Sequence, residues 1–301
     1  MTPPLAKRIK RAVRYGLLRA LLAVVSRLPL GAAQRCGEGL GELVFLLAPG
    51  ERDKALRSLG RAFPEKSREE RAALARASFR HLGRCALEAA VARRLGPDRL
   101  GDLVHVPDEA LEAVRRARER GRGIVAVTGH VGHWELLGWA MVKSGIPLSV
   151  IAKENVDPRL TSLVDDFRAR GGVHTLWRAR PGSAVGMLRA LRRGEMLGLL
   201  IDQDTRVQSL FVPFFGTPAA TPRAASDLVL RTGAPALVTF APRGPDGRYR
   251  LSAEELEVPA TGDAEADALE LTRRFSLAIE AAIRRTPEQW VWMHQRWKTS
   301  A

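Results

Sequence analysis

The stretch Gly123-Ile124-Val125-Ala126-Val127-Thr128-Gly129-His130-Val131-Gly132-His133-Trp134-Glu135 decides the fold. Its first half is a short, β-branched apolar run between a charged helical segment, 109–120, and a glycine. A buried strand is the reading that fits. Its second half passes two glycines before 134–143, where the pattern predicts a helix that stops at Gly145. Outward from there, 148–152, 196–201 and 235–240 read as further strands, and 165–170, 185–193 and 264–285 as helices. Strand and helix alternate, so the expected fold class is α/β, a mostly parallel sheet flanked by helices, with a helical N-terminal region before it.

That region reaches about residue 99. Ser67 followed by Glu70 is a capping-box start, and Pro64 closes the helix before it. Lys7, Arg8, Lys10, Arg11 and Arg14 precede an apolar run from Gly16 to Val25, which Arg19 and Arg27 interrupt. A spanning helix needs ~20 predominantly apolar residues. An interfacial helix with snorkelling arginines fits better, with Leu43-Val44-Phe45-Leu46-Leu47 adding to the same surface. The plain alternative is an ordinary helix packed on the domain. No cleavage site follows Arg27-Leu28-Pro29. Basic residues beside an apolar anchor favour the cytoplasmic leaflet. The expected organisation is a membrane-associating helical region over 1–99 and an α/β catalytic domain over 100–301. The expected location is the cytoplasmic face of the inner (plasma) membrane, peripheral or held by one N-terminal anchor.

Lys and Arg number 48 against 33 Asp and Glu, a net charge of +15. Such a surface seeks nucleic acid, anionic lipid, phosphorylated glycolipid or an acidic carrier protein, and charge alone does not choose among them. The two cysteines, Cys36 and Cys85, form neither a CxxC pair nor a disulfide framework, which suits a reducing compartment.

His130 stands where the buried strand gives way to a helix, the edge at which α/β sheets bind ligands. On one continuous helix His130 and Glu135 would be about 140° apart. Gly129 and Gly132 let the chain turn first, so that Glu135 on the first helical turn can meet the imidazole. A carboxylate on one ring nitrogen fixes the tautomer and leaves the other nitrogen as a general base. A capping or core histidine is the plain alternative. His133 reads as a pocket or helix-start residue, and His130, His133 and Glu135 as a metal set lack a third strong ligand.

Ile201-Asp202-Gln203-Asp204-Thr205 follows a predicted strand directly. It reads as a metal-binding Asp-x-Asp, as a hydrogen-bonding network around a substrate, or as a turn. Phe211-Val212-Pro213-Phe214-Phe215-Gly216-Thr217-Pro218 is too broken by proline for a helix and suits an acyl-chain groove or a core-packing loop. Arg178, Arg180, Arg223 and Arg243 fall near loop or strand ends, where a guanidinium can bind phosphate bidentately. No GxSxG elbow, P-loop, HExxH or cysteine cluster is present.

Taken in order, these motifs resemble the bacterial lipid A biosynthesis acyltransferases, relatives of the lysophospholipid acyltransferases. The likeness rests on His-x4-Glu at 130–135 and on Arg192-Arg193-Gly194-Glu195 leading to Asp202-Gln203-Asp204. It continues through Phe211-Val212-Pro213-Phe214-Phe215-Gly216, Thr221-Pro222 and Pro287-Glu288-Gln289-Trp290 with Trp292, His294, Arg296 and Trp297. Upstream, Arg61-Ala62-Phe63-Pro64-Glu65 is similar too. The resemblance implies a membrane-bound enzyme with acyl-carrier protein or acyl-CoA as donor and a glycolipid as acceptor. It implies no metal, no cofactor and no covalent acyl-enzyme. His130 then takes the acceptor's proton and Glu135 orients it. Asp202, Gln203, Asp204, Phe214 and Phe215 become pocket residues, and a family arginine maps to Arg178, with Arg180 nearly as well spaced.

The expected function is O-acyl transfer from a thioester to a hydroxyl of a lipid A precursor. Alternatives are acyl-CoA-dependent acylation of another glycolipid, such as a mannosylated phosphoinositide, and a metal-dependent glycosyltransferase using Asp202 and Asp204. A basic binder of nucleic acid or membrane is the non-enzyme reading. The expected partners are the acyl donor, the glycolipid and an anionic membrane surface, with no nucleic acid.

Overall fold

The computed structural model describes residues 5–300. Residues 1–4 of the expected 1–99 region, and the side chain of Lys7 in its basic flank, lie outside the described residues. Four helices come first: α1 (Leu5–Val25), α2 (Leu30–Leu47), α3 (Pro49–Ala62) and α4 (Arg68–Leu95). α4 starts at the capping box: the Ser67 hydroxyl accepts from the Glu70 amide, and the Glu70 carboxylate accepts from the Ser67 amide. α2 and α4 meet backbone to backbone. A Cβ on Gly83 of α4 would lie 2.1 Å from the Gly37 carbonyl oxygen of α2, so side chains are sterically shut out of this contact.

α1 presents an exposed stripe, Leu5, Ile9, Val13, Leu17 and Leu21, at one-turn spacing. Its last turn, through Leu22 and Val25, packs with Leu87 and Val91 of α4. No described helix is long and apolar enough to cross a membrane.

A 3-10 turn (Pro97–Asp102) leads into the α/β part. Its elements are β1 (Val104–His105), α5 (Asp108–Glu119), β2 (Ile124–Thr128), α6 (Trp134–Lys143), β3 (Leu148–Ala152), α7 (Pro158–Arg170) and β4 (His174–Trp177). Then come α8 (Ser183–Arg192), β5 (Met196–Leu200), β6 (Ser209–Phe214), β7 (Thr217–Pro222), α9 (Ala224–Thr232), β8 (Ala236–Phe240), β9 (Tyr249–Arg250), β10 (Ser252–Leu256) and α10 (Ala264–Arg285).

The main sheet has the order β10-β8-β2-β5-β3-β4, parallel throughout except for β10 against β8. This is the mixed α/β fold with a mostly parallel sheet that the sequence predicts. β2 lies between β8 and β5 with all its residues buried, which is why 124–128 reads as an unbroken apolar run. Two features differ from the expectation. β4 is an edge strand that the pattern does not announce, because His174 is exposed and the strand is short. The proline-broken stretch from 211 onward belongs to an antiparallel hairpin of β6 and β7, with Pro213 opposite Pro218. In a two-stranded hairpin every second N–H faces outward, and a proline at such a position costs no ladder bond.

One core unites Leu59 and Phe63 of the helical region with Leu197, Phe214, Phe275, Trp290 and Trp292. A second collects Cys85 of α4 with Ile124, Leu136, Trp139 and Tyr249. α3 and α4 therefore share their cores with the sheet, while α1 packs in a separate cluster with α4.

The register between β2 and β5 positions the site. Thr128 pairs with Leu200, in parallel strands. Neighbouring strands lie about 4.8 Å apart. Two residues beyond that pair stand His130 and Asp202, side by side at the carboxyl edge of the sheet.

Candidate active site

Asp202 embraces His130 twice. Its Oδ2 accepts from the His130 backbone N–H at 2.6 Å, and its Oδ1 accepts from the ring Nδ1 at 2.8 Å. The Trp290 indole N–H donates to the same Oδ2 at 2.8 Å. Burial by itself would raise the Asp202 carboxyl; the charge and hydrogen bonds of His130, with His294 nearby, outweigh it and hold the group below the ordinary carboxylate range. An ionised acceptor on Nδ1 puts the proton there and leaves Nε2 with its lone pair.

Nε2 lies 3.3 Å from the Gln203 amide nitrogen, which also lies 2.6 Å from His294 Nε2. Burial, then repulsion from His130, pushes His294 down to about 4, so its ring is neutral and accepts from Gln203. Trp134 and His294 flank the His130 ring edge to face, each at 4.9 Å between centroids. His130 opens onto a groove of about 730 Å³. Its walls are apolar at Ile151, Met187, Leu200 and Ile201; Lys153 and Arg178 line it as cations, beside Arg168 and Arg223, which are paired with acids. That volume lies within the ordinary range of small-molecule sites.

Glu135 is not the carboxylate on His130. Arg168 of α7 takes it in a bidentate pair, Nη2 to Oε1 at 2.7 Å and Nε to Oε2 at 2.9 Å. The first turn of α6 carries Glu135 toward α7, and the fork geometry of a guanidinium satisfies both its oxygens. Phe214 and Phe215 are not groove residues either. Phe214 packs on Trp290 and Trp297, and Phe215 on Phe63 and Trp292, both inside the core. Phe214 thus backs the tryptophan that holds Asp202.

Asp204 accepts from the Thr299 amide at 2.6 Å and from its hydroxyl at 3.1 Å. Asp202 and Asp204 are spent on different partners, which removes the geometric basis for an Asp-x-Asp metal pair. Of the two arginines, Arg178 lines the groove near Thr205, whereas Arg180 pairs with Glu154. Trp290 and His294 stand in the C-terminal motif of the resemblance without an assigned role, and Arg168 carried no signal in the sequence. The first two lie about ninety residues from their partners, and only the fold supplies that proximity.

Beneath the His130 loop lies a buried polar network. Gly132, at φ +65°, crosses so close to Ala241 that a Cβ would meet its carbonyl oxygen at 1.9 Å. Its own carbonyl oxygen accepts from His81 Nε2 at 3.2 Å. His133 caps α6: Nδ1 accepts from the Leu136 amide and Nε2 donates to the Cys85 carbonyl. Tyr249 donates to Glu88, which also accepts from Gln34. Among the described residues, Cys85, Glu88 and His133 are the one trio whose ligand atoms approach within 4.8 Å. Both His133 nitrogens are already engaged, and burial raises the Cys85 thiol far above its usual range. A metal does not fit that donor set.

Burial lowers His81 to about 4 and His133 to about 3, from 6.5. Between pH 6.5 and about 4 the unfolded chain therefore binds more protons than the folded one at these two rings. Stability falls as pH falls through that window. For His81 the full loss is about 3 kcal/mol. Glu88, raised by burial, acts with the opposite sign above its ordinary 4.5 and offsets part of the loss. Urea unfolding at pH 7 and pH 5 is expected to give the lower midpoint at pH 5. His81→Gln, which keeps an N–H for Gly132 but does not titrate, is expected to shrink the difference.

A family profile described as bacterial lipid A biosynthesis acyltransferase matches residues 6–299. The chain is 30% identical to a lipid A biosynthesis lauroyltransferase of Escherichia coli (strain K12), over 93% of this chain and 89% of that protein. It is 31% identical to a lipid A biosynthesis palmitoleoyltransferase of the same strain, over 81% and 78% respectively. A phosphatidylinositol mannoside acyltransferase of Mycolicibacterium smegmatis is 24% identical, over 95% of this chain and 90% of that protein.

Proposed function

The chain belongs to the bacterial lipid A biosynthesis acyltransferases and is itself an acyltransferase, and from that premise we propose that it moves a fatty acyl chain from a thioester to a hydroxyl of a lipid A precursor, with His130 as base. The single observation that carries the mechanism is the His130–Asp202 pair facing an apolar groove rimmed by cations. His130 Nε2 takes the acceptor hydroxyl's proton as the oxygen attacks the thioester carbonyl. The tetrahedral intermediate collapses by breaking the C–S bond. The thiolate leaves with the proton that Nε2 returns, so ester and thiol are the products. Asp202 steadies the transient imidazolium and keeps Nδ1 protonated. The Gln203 amide, held by neutral His294, offers a donor beside the base for the developing oxyanion.

The acyl chain lies along Met187, Leu200 and Ile201, and Lys153 and Arg178 meet the anionic donor or acceptor. The donor is an acyl-carrier protein or a CoA thioester, both acidic, in keeping with the net charge of +15. In this reading residues 1–99 provide contact with the cytoplasmic face of an anionic membrane through the exposed stripe of α1, and residues 100–301 carry the chemistry. No metal or other cofactor takes part in the steps as written.

Mass spectrometry of a tetra-acylated lipid A precursor tests this, with acyl-carrier protein or CoA carrying the chain and chelator present. The expected result is a gain of one acyl chain in the wild type, lost by ~10³-fold or more in His130→Ala. A gain that survives in His130→Ala would remove the base assignment. Transfer only to a mannosylated phosphoinositide would move the acceptor to the class named by the mycobacterial relative.

A further inference from the structure

α1 does more than display an apolar stripe. Its middle turns lie over the segment that starts α7, and Tyr15 receives the Arg159 guanidinium on its ring face at 5.1 Å. A cleft of about 370 Å³ separates the two. Leu18, Val156 and Leu160 line it with apolar atoms, and Arg11 and Arg14 line it with positive charge. Asn155 lines both this cleft and the catalytic groove, so the two cavities are neighbours.

The charges in the cleft are unbalanced. Asp157 caps α7 and spends both oxygens on Arg159, at 2.7 and 2.9 Å. That hydrogen-bonded pair, more than the charge of Arg11, holds Asp157 below its ordinary value. Among the described residues, Arg11 and Arg14 have no hydrogen-bonded acidic partner, although Arg11 feels Asp157 across the cleft. Val156, 80% exposed, carries the apolar character of the cleft out to solvent. Two guanidinium groups beside apolar side chains suit an amphiphile: phosphate on the arginines, hydrocarbon against Leu18 and Leu160.

We propose that this cleft is an acceptor subsite, which takes the phosphate-bearing end of the glycolipid on Arg11 and Arg14 while an acceptor hydroxyl lies at His130. The inference rests on the acyl-transfer reading above and adds to it the place where the acceptor's anionic headgroup binds. It makes α1 part of the substrate site, with its stripe directed to the bilayer from which the acceptor comes. An anionic lipid of the surrounding bilayer offers the same chemistry, and the test separates that source.

The variant Arg11→Gln/Arg14→Gln preserves helix propensity and touches no catalytic group. First, monomeric dihexanoyl phosphatidic acid, below its micelle concentration, is titrated into the detergent-solubilised full chain, with dihexanoyl phosphatidylcholine as control. The wild type is expected to prefer the phosphatidic acid, and the variant to bind it about tenfold more weakly. Equal binding by the two proteins overturns the proposal. Second, steady-state transfer is compared on the phosphorylated acceptor and on the same acceptor after phosphatase treatment. The variant is expected to raise KM about tenfold on the phosphorylated acceptor, with kcat unchanged, and to match the wild type on the dephosphorylated one. Unchanged KM together with lost binding to anionic vesicles would assign the arginines to the bilayer at large and overturn the acceptor subsite. If the wild type transfers no acyl chain to any glycolipid, the acyl-transfer reading fails on its own, and the titration still decides whether the cleft holds a phosphate-bearing lipid.

Discussion

Asp202→Asn is expected to lower kcat by about 10³–10⁴-fold while leaving KM within a few-fold. The size follows from where the proton sits. Asp202 accepts three hydrogen bonds: from the His130 backbone, from His130 Nδ1 and from the Trp290 indole. An asparagine can keep its carbonyl oxygen on the backbone amide and the indole, which together anchor Oδ2. Its amide group then faces Nδ1 as a donor. Nδ1 must accept, the ring proton moves to Nε2, and the nitrogen facing the groove is no longer a base. The fold is barely disturbed, because the side chain is isosteric and the Trp290 contact survives. Stopped assays of acyl transfer, with a thermal melt of each protein, check both halves. A variant within tenfold of wild-type kcat would mean that His130 does not depend on Asp202.

Gly83→Ala is expected to destabilise the protein by about 3 kcal/mol or more, near the upper end for overpacking. An added Cβ there would meet the Gly37 carbonyl oxygen at 2.1 Å and the Gly41 backbone nitrogen at 2.8 Å. These are backbone atoms, and no side chain can rotate away. α4 would have to move off α2. The same helix carries His81 and Cys85 under the His130 loop, so the displacement reaches the site. Urea unfolding of variant and wild type reads the loss, and a difference below about 0.5 kcal/mol would contradict the contact. Gly31→Ala serves as the control, since nothing lies within 4 Å of a Cβ built there.

The sheet was legible where its strands are buried on both faces. The runs at 124–128, 148–152, 196–201 and 235–240 correspond to β2, β3, β5 and β8, since continuous apolar character is what a central parallel strand requires. The edges were not. β4 and β10 expose alternate residues and carry His174, Glu254 and Glu255, so no apolar run marks them.

The site was legible residue by residue but not as a pair. His130 and Asp202 each stand just past a predicted strand. Pattern alone does not say that β5 inserts between β2 and β3, and that adjacency brings the two together. Without it, the nearest acid in sequence, Glu135, takes the orienting role by default. In the fold Arg168 claims Glu135, a partner 33 positions away that no local rule identifies. Phe214 and Phe215 fail for a related reason: an aromatic, proline-rich stretch suits a lipid groove and a core equally, and the hairpin turns both rings inward.

The central claim is that Asp202, not Glu135, makes His130 the base. The most direct measurement is the tautomer of the His130 ring, read by nitrogen NMR of protein labelled at histidine, in the wild type, Asp202→Asn and Glu135→Gln, with His130→Gln to assign the signal. The expected result is a ring proton on Nδ1 in the wild type and in Glu135→Gln, and on Nε2 in Asp202→Asn. An Nδ1 proton that persists in Asp202→Asn and is lost in Glu135→Gln would contradict it.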